Sequence, residues 1–373
     1  MTPEPTSAST SHTAGWEAFR RALSTWFERV RRPLPWRETS DPWLIWMSEV
    51  LLQQTRVEQG LPYYEAFATA YPTVEDFARA DLDDVLRLWE GLGYYARARN
   101  FHAAAQHVVR ERGGVFPTSR SDWESLPGIG PYTSAAISSL AQNQPEAVVD
   151  GNVIRVITRL FRVDADASQS RTRALVDRLA HEILDDTRPG RHNEAMMELG
   201  ATVCLPRSPR CDACPVLAWC RAAAEGDPER FPVKKKKGPI PHLTIVVGLL
   251  CDAEGRFFVQ RRPESAMLGG LWEFPGGKCR EGEGLEEALE REFREETGAQ
   301  VRAGASICTV RHAYSHFRIT LHAFSCHLKP GSPSPTTALP HRWIAPDALS
   351  ELAFPRANRR IIEALISFPG PWT

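Results

Sequence analysis

The chain has 373 residues, 42% of them hydrophobic and 24% charged, with a formal net charge of −1. That length carries two separate cores, and no apolar run approaches a membrane-spanning length, so a bilayer is not its site. The near-neutral balance weakly opposes nucleic-acid binding without forbidding it, because a local stripe such as Arg29, Arg31, Arg32 and Arg37 is enough to meet phosphates.

Residues 1–14 contain no Lys or Arg and no apolar core, and read as a disordered tail rather than a signal or transit peptide. Residues 15–221 carry helical periodicity. Asp41-Pro42 sets an N-cap and a first-turn proline before an apolar helix running to about Val57. Leu82, Val85, Leu86 and Trp89 repeat at helical spacing up to Gly91, and Val153, Ile154, Ile157, Leu160 and Phe161 do so further on. No strand is convincing here, so this half reads as all-α. Residues 222–242 are proline-broken and charge-blocked, which suits an exposed linker, with Lys234 to Lys237 solvated or touching phosphate. Strands are predicted at 243–250 and 256–262 around a turn at Glu254-Gly255. A helix near 283–297, a strand near 317–328 and a helix near 356–366 complete an α/β domain over 243–368.

Three features of the helical half carry chemistry. Glu49 is the only charged side chain between Pro42 and Thr55, and a lone carboxylate in an apolar helix resists ionisation. It is either a general acid working near neutrality or a partly exposed residue on a polar face beside Ser48 and Gln53. In LPGIGPYTSAAI (126–137), Gly128 and Gly130 allow a tight turn that brings backbone N–H groups and a helix N-terminus to a phosphate. Asp150 follows an apolar run and precedes a helix, and read alone it is an N-cap. Cys204, Cys211, Cys214 and Cys220, spaced C-x6-C-x2-C-x5-C, suit zinc or an iron–sulfur cluster, while Cys251, Cys279, Cys308 and Cys326 are scattered and read as reduced packing residues.

The cysteine loop resembles that of the endonuclease III superfamily, which carries a 4Fe-4S cluster, and LPGIG resembles its helix-hairpin-helix. The segments LPWR (34–37), WMSEVLLQQT (46–55), GLGYYARARN (91–100), VDGNVIRV (149–156) and MELGATVC (197–204) resemble MutY-type adenine DNA glycosylases over about 15–221. The resemblance implies that Glu49 protonates adenine and later activates water, Asp150 stabilises the cationic sugar or attacks it transiently, Tyr132 supports them and Asn152 orients the aspartate. It places Arg32, Trp36 and Glu194 around the everted adenine, Arg37 among the residues that bind substrate or DNA, and Gln54, Thr55 and Tyr94 in the gap against the opposite base. Tyr132 stands where endonuclease III has a Schiff-base lysine, which implies a monofunctional glycosylase and opposes a lyase acting on oxidised pyrimidines. The implied partner is double-stranded DNA with an 8-oxoguanine:adenine mispair. The resemblance further implies a monomeric, cytoplasmic, nucleoid-associated bacterial enzyme that hands its product to abasic-site repair enzymes.

Residues 277–299 fit the Nudix pattern, with Glu292, Glu295 and Glu296 on one helix face, where clustered carboxylates suit Mg²⁺ and a diphosphate. RRPESAMLGGLWEFPGGK (261–278) and FPRAN (354–358) resemble MutT-type 8-oxo-dGTP hydrolases, in which the residue at Asn358 reads oxidised guanine. RHAYSHF (311–317) resembles a DNA-reading loop, with Tyr314, Ser315 and His316 approaching the lesion, or is a structural hairpin. Two roles therefore compete for this domain: locating 8-oxoguanine in DNA, or hydrolysing 8-oxo-dGTP. The stretch 329–341 lacks the further acid such hydrolases commonly carry.

Overall fold

The computed structural model describes residues 10–234, 238, 240–264, 266–314 and 317–367. The chain packs as two compact units, Met1–Ala78 with Ala103–Lys237, and Arg79–His102 with Gly238–Thr373. The segment Arg79–His102, contiguous in sequence with the helical half, thus belongs by packing to the C-terminal unit.

The helices of the first 230 residues are α1 (Thr10–Val30), α2 (Pro42–Leu51), α3 (Val57–Ala70), α4 (Val74–Arg79), α5 (Leu82–Leu88), α6 (Ala96–Arg112), α7 (Arg120–Glu124), α8 (Pro131–Gln142), α9 (Gly151–Phe161), α10 (Ser170–Ile183), α11 (Pro189–Thr202) and α12 (Arg221–Ala224). No strand occurs among the described residues before His242, as the periodicity predicts. Helix α1 begins at Thr10, inside the segment expected as a tail. Asp41 caps α2 by accepting from the Trp43 N–H at 2.9 Å, with Pro42 at the first helical position. That helix stops at Leu51 rather than near Val57, because Gln54 takes a left-handed conformation at φ +59° and turns the chain into α3.

The first core lies where α1, α9, α10 and α11 meet, with Phe19, Phe27, Ile157, Val176 and Leu199 all buried. Cys204, Cys214, Cys220 and Trp219 pack on its edge. Part of the expected linker also joins this unit: Ala222 and Phe231 are buried, and Val233 O accepts from Ala167 N at 2.9 Å. Its proline-rich composition concealed an aromatic anchor.

In the C-terminal unit, β1 (His242–Leu250), β2 (Phe257–Arg261), β3 (Trp272–Glu273), β4 (Gly276–Lys278), β5 (Val301–Ala313), β6 (Arg318–Leu328) and β7 (His341–Ile344) form two sheets. Their orders are β4-β1-β6-β5 and β3-β2-β7. Strand β1 runs parallel to β6, pairing Val247 with Ala323, and antiparallel to β4. Successive residues of a strand face opposite sides, so Val246 packs with Leu289 and Phe293 of α13 (Leu285–Thr297), and Val247 with Ile361 and Leu365 of α14 (Arg356–Ser367). The expected turn at Glu254-Gly255 is present, with Asp252 accepting from the N–H groups of Glu254 and Arg256. The two strands it joins enter different sheets.

Candidate active site and cysteine loop

The hairpin between α7 and α8 turns through Gly128, at φ +72°, and Gly130 caps α8 ahead of Pro131. A left-handed backbone of this kind favours glycine because it lacks a Cβ. The turn places Tyr132 in the first helical turn, where its hydroxyl donates to Glu49 Oε2 at 2.8 Å. Glu49 is only 7% exposed near the end of α2, which rules out the solvent-facing alternative. Burial pushes its carboxyl up to about 7; the Tyr132 hydrogen bond opposes this, and the charges of Asp150 and Glu194 add to it. Burial also drives the Tyr132 phenol well above its ordinary range, with Glu49 and Asp150 contributing, so it stays an O–H donor.

Asp150 is both an N-cap and a site group. Its Oδ1 accepts from the Val153 N–H at 2.7 Å and its Oδ2 from Asn152 Nδ2 at 2.8 Å. Burial raises its carboxyl while those hydrogen bonds and nearby Arg155 oppose the shift. Arg155 in turn donates to Asn152 Oδ1 at 2.8 Å, to Gly200 O at 2.6 Å and to Cys204 O at 2.6 Å. A Cβ at Gly200 would lie 2.5 Å from that of Asn152, so only glycine lets α11 close on the residue that holds the aspartate.

The expected phosphate stripe is not one. Arg32 clamps Glu198 through two bonds of 2.7 and 3.0 Å, Arg37 reaches Glu198 at 2.8 Å and Glu194 at 3.4 Å, and Arg31 pairs with Glu38 at 2.6 Å. The buried Glu198 and partly buried Glu194 on α11, with the exposed Glu38, claim three of these four guanidinium groups. Glu198 was missed in the sequence, although it lies one helical turn beyond Glu194. Burial works against its charge, yet Arg32 and Arg37 hold its carboxyl below the usual range. Glu194 is raised by burial, with Arg37 and Arg191 opposing. Trp36 meets Tyr64 edge-on at 5.1 Å, and with Arg37, Ser48, Leu140 and Glu194 it lines a cavity of about 190 Å³. A second cavity of about 440 Å³ takes in Tyr132, Val149 and Ile154. Gln54 is exposed and Thr55 partly so, while Tyr94 lies in the C-terminal unit, 40% exposed at φ +49°.

Cys204 follows α11, and Cys211, Cys214 and Cys220 flank two short 3₁₀ turns. All four are free, part-buried thiols. Burial, with the charges of the other three, pushes the Cys214 thiol up to about 12, and burial raises Cys211 and Cys220 also. Arg159, 1% exposed, donates to Cys204 Sγ at 3.2 Å, Leu205 O at 2.7 Å and Phe231 O at 3.1 Å. Among the described residues no three His, Cys, Asp or Glu are arranged to hold a single metal ion. Four cysteine sulfurs in one short loop beside a buried guanidinium are nevertheless the soft donor set that an iron–sulfur cluster takes. Arg155 and Arg159, an i,i+4 pair in an otherwise apolar helix, were the overlooked signal.

In the C-terminal unit Glu296 accepts from Gln260 Nε2 at 2.7 Å and the Gly276 N–H at 3.0 Å. Burial, then Glu273, push its carboxyl up to about 7. Glu292 and Glu295 instead share Arg291, at 2.8 and 3.2 Å, so the three carboxylates do not gather into a cation site. Asn358 is 6% exposed with Oδ1 unpartnered among the described residues. Tyr314 stacks on Phe317 at 4.7 Å, and Ser315 and His316 lie outside the described residues.

Residues 47–182 match the pattern of the HhH-GPD superfamily base excision DNA repair proteins, and residues 246–364 that of the NUDIX domain. Fold and site together therefore define a base-excision repair protein with a Nudix-type second domain. The adenine DNA glycosylase of Rattus norvegicus is 34% identical over 398 residues, covering 92% of this chain and 77% of that protein. That of Schizosaccharomyces pombe is 31% identical over 375 residues, covering 83% and 81%. A solved thermostable thymine-DNA glycosylase is 29% identical with a TM-score of 0.53, over 57% of this chain and 98% of that one. The chain belongs to the adenine DNA glycosylase family.

Proposed function

We propose that the chain hydrolyses the N-glycosidic bond of adenine standing opposite 8-oxoguanine or guanine in double-stranded DNA. The observation that carries this reading is a buried Glu49, its carboxyl near neutrality, hydrogen-bonded to Tyr132 and electrostatically coupled to Asp150. Adenine leaves its sugar readily only when a ring nitrogen is protonated, and a carboxyl of about 7 still holds a proton at physiological pH. As the C1′–N9 bond breaks the sugar becomes cationic. The Asp150 carboxylate, fixed by Asn152 and the Val153 N–H, stabilises it as one member of a glycosidase pair does. Glu49, now ionised, accepts a proton from water as the water oxygen bonds to C1′. The balance is adenine plus an abasic site.

Tyr132 has no amine with which to form a Schiff base, which supports a monofunctional enzyme. Arg32, Trp36 and Glu194 receive the everted base, an extrusion such chemistry requires, and Arg37 binds substrate or DNA beside them. Gln54, Thr55 and Tyr94 meet the gap and the opposite base, and the turn of Gly128 and Gly130 grips a phosphate. The four loop cysteines would hold a 4Fe-4S cluster that stiffens a segment carrying the exposed Arg207 and Arg210; hydrolysis needs no electron from it. The C-terminal domain, with Tyr314, Ser315, His316 and Asn358, reads 8-oxoguanine. The enzyme acts as a monomer and yields its product to abasic-site repair enzymes. No helix among the described residues is long and apolar enough to cross a membrane.

A second reading, Mg²⁺-dependent hydrolysis of 8-oxo-dGTP, is favoured by the intact box and by the partly buried Glu296 beside the buried Glu273. The capture of Glu292 and Glu295 by Arg291 stands against it. The test of the first reading is Glu49→Gln and Asp150→Asn in the full chain. Each is expected to abolish adenine release while binding to the mispaired duplex persists, and full activity in either would refute the assigned roles.

A further inference from the structure

Tyr94 sits at the apex of a turn whose backbone is left-handed at three places: Gly91 at φ +99°, Gly93 at +69° and Tyr94 itself at +49°. A non-glycine residue in that region costs on the order of 1 kcal/mol and persists only where its surroundings over-determine it. Part of that support is local. Trp89 Nε1 donates to Gly93 O at 2.9 Å, and the Arg97 guanidinium lies over the rings of Trp89 and Tyr94 at 5.1 and 5.9 Å.

The rest comes from residues far along the chain but within the same compact unit. Arg359 on α14 donates through Nε to both carboxylate oxygens of Glu90, at 2.8 and 2.9 Å, just before the turn. The same guanidinium also donates to the carbonyls of Leu349, Ser350 and Leu352, so it is pre-set rather than free to follow Glu90. Arg261 on β2 pairs with Asp83 on α5 while holding Gly270 O at 2.8 Å. After the turn, Arg99 on α6 donates to the carbonyls of Gly269 and Glu264. The Arg359–Glu90 pair is half-buried, 15% and 27% exposed, where an ion pair fixes geometry better than one in open solvent.

We propose that the Nudix-type domain holds the Tyr94 turn from both sides, so that the aromatic probing the mispair and the surface reading the lesion move as one piece. Asp83, Glu90, Arg261 and Arg359 are positioning residues acting through Tyr94. The inference rests on the reading of Tyr94 as the residue that touches the opposite base. Loss of the C-terminal domain would then remove a lesion reader and release the probe as well.

The test uses the full chain and the near-isosteric pair Asp83→Asn with Glu90→Gln, alone and with Tyr94→Ala. Hydrogen exchange of the amides at 91–95 is expected to quicken about tenfold in the Asp83→Asn/Glu90→Gln protein, the signature of a lowered local opening free energy. Its preference for adenine opposite 8-oxoguanine over adenine opposite guanine is expected to fall about tenfold, a typical coupling between distant groups, with the saturating single-turnover rate on the oxidised mispair within about twofold. In the Tyr94→Ala background the same two changes should do nothing further to that preference. Unchanged exchange, or an equal loss of preference without Tyr94, overturns the proposal. If Tyr94→Ala alone leaves the preference intact, the reading of Tyr94 falls and takes this one with it. If Tyr94→Ala lowers the preference but Asp83→Asn/Glu90→Gln does not, only the inference falls.

Discussion

Two glutamates in this molecule have carboxyls pushed by burial to about 7, and they keep different company. Glu49 is bonded to a neutral phenol, and its acidic neighbour Asp150 is held by an amide and a backbone N–H. Among the described residues no guanidinium or ammonium group pairs with either. Glu296 lies in a set whose other acids are already engaged: Arg291 takes Glu292, Glu295 and Glu283, and Arg262 pairs with Glu273. A carboxyl raised beside neutral donors can pass its proton to a substrate. A carboxylate already satisfied by arginine is neither a ready acid nor a free ligand. Burial alone therefore does not mark the active centre: Glu296 is likewise bonded to neutral donors, and the contrast lies in the arginines that hold the acids around it.

The sharpest way to break this contrast is Glu49→Gln, which keeps the shape and removes the proton. Adenine release under single-turnover conditions should fall about 10³-fold, within the range for a lost general acid–base group. A fall of less than about tenfold would place Glu49 with the paired carboxylates instead. Next comes Arg159→Gln, which removes the buried charge that links Cys204 to the chain around Phe231. Breaking such an arrangement should destabilise the fold by about 3 kcal/mol, and iron content after purification should drop with it. Unchanged stability and iron would show the guanidinium to be incidental.

The pH dependence comes third. Because the carboxyl is raised above its ordinary value, it loses its proton as pH climbs through about 7, so excision should fall about tenfold per unit above that point. Stability follows the same sign. The folded state binds more protons than the unfolded state between the ordinary glutamate value, about 4.5, and about 7, so this group's contribution falls as pH rises through that window. A rate that climbs from pH 7 to 9 would contradict the assignment. The smallest effect belongs to the other acid set: Glu292→Gln with Glu295→Gln should leave adenine release within about twofold of the unaltered chain. A large loss there would mean that the two sites are not separable.

Much of this is legible in the sequence alone, because the hairpin, the two acids and the cysteine spacing are local patterns with few other physical uses. The caps at Asp41 and Asp150 followed from the same rules. What stayed hidden was long-range. Nothing near Arg32 or Arg37 in sequence shows that they face Glu198 across 166 and 161 residues, so they read as a surface stripe. Phe231 looked like linker because its pocket is built by helices far upstream, and Gln54 gave no warning that it would stop α2 by turning left-handed. Strand β5 was missed because its burial alternates irregularly around a register shift, so a period of two is not visible.

The central claim is most directly tested by offering the purified chain four duplexes with 8-oxoguanine opposite A, C, G or T, and measuring free base and trapped protein after borohydride. Free adenine from the first duplex alone, with no covalent adduct, is the predicted result. Release of a different base, or a protein–DNA adduct that requires an amine nucleophile, would contradict it.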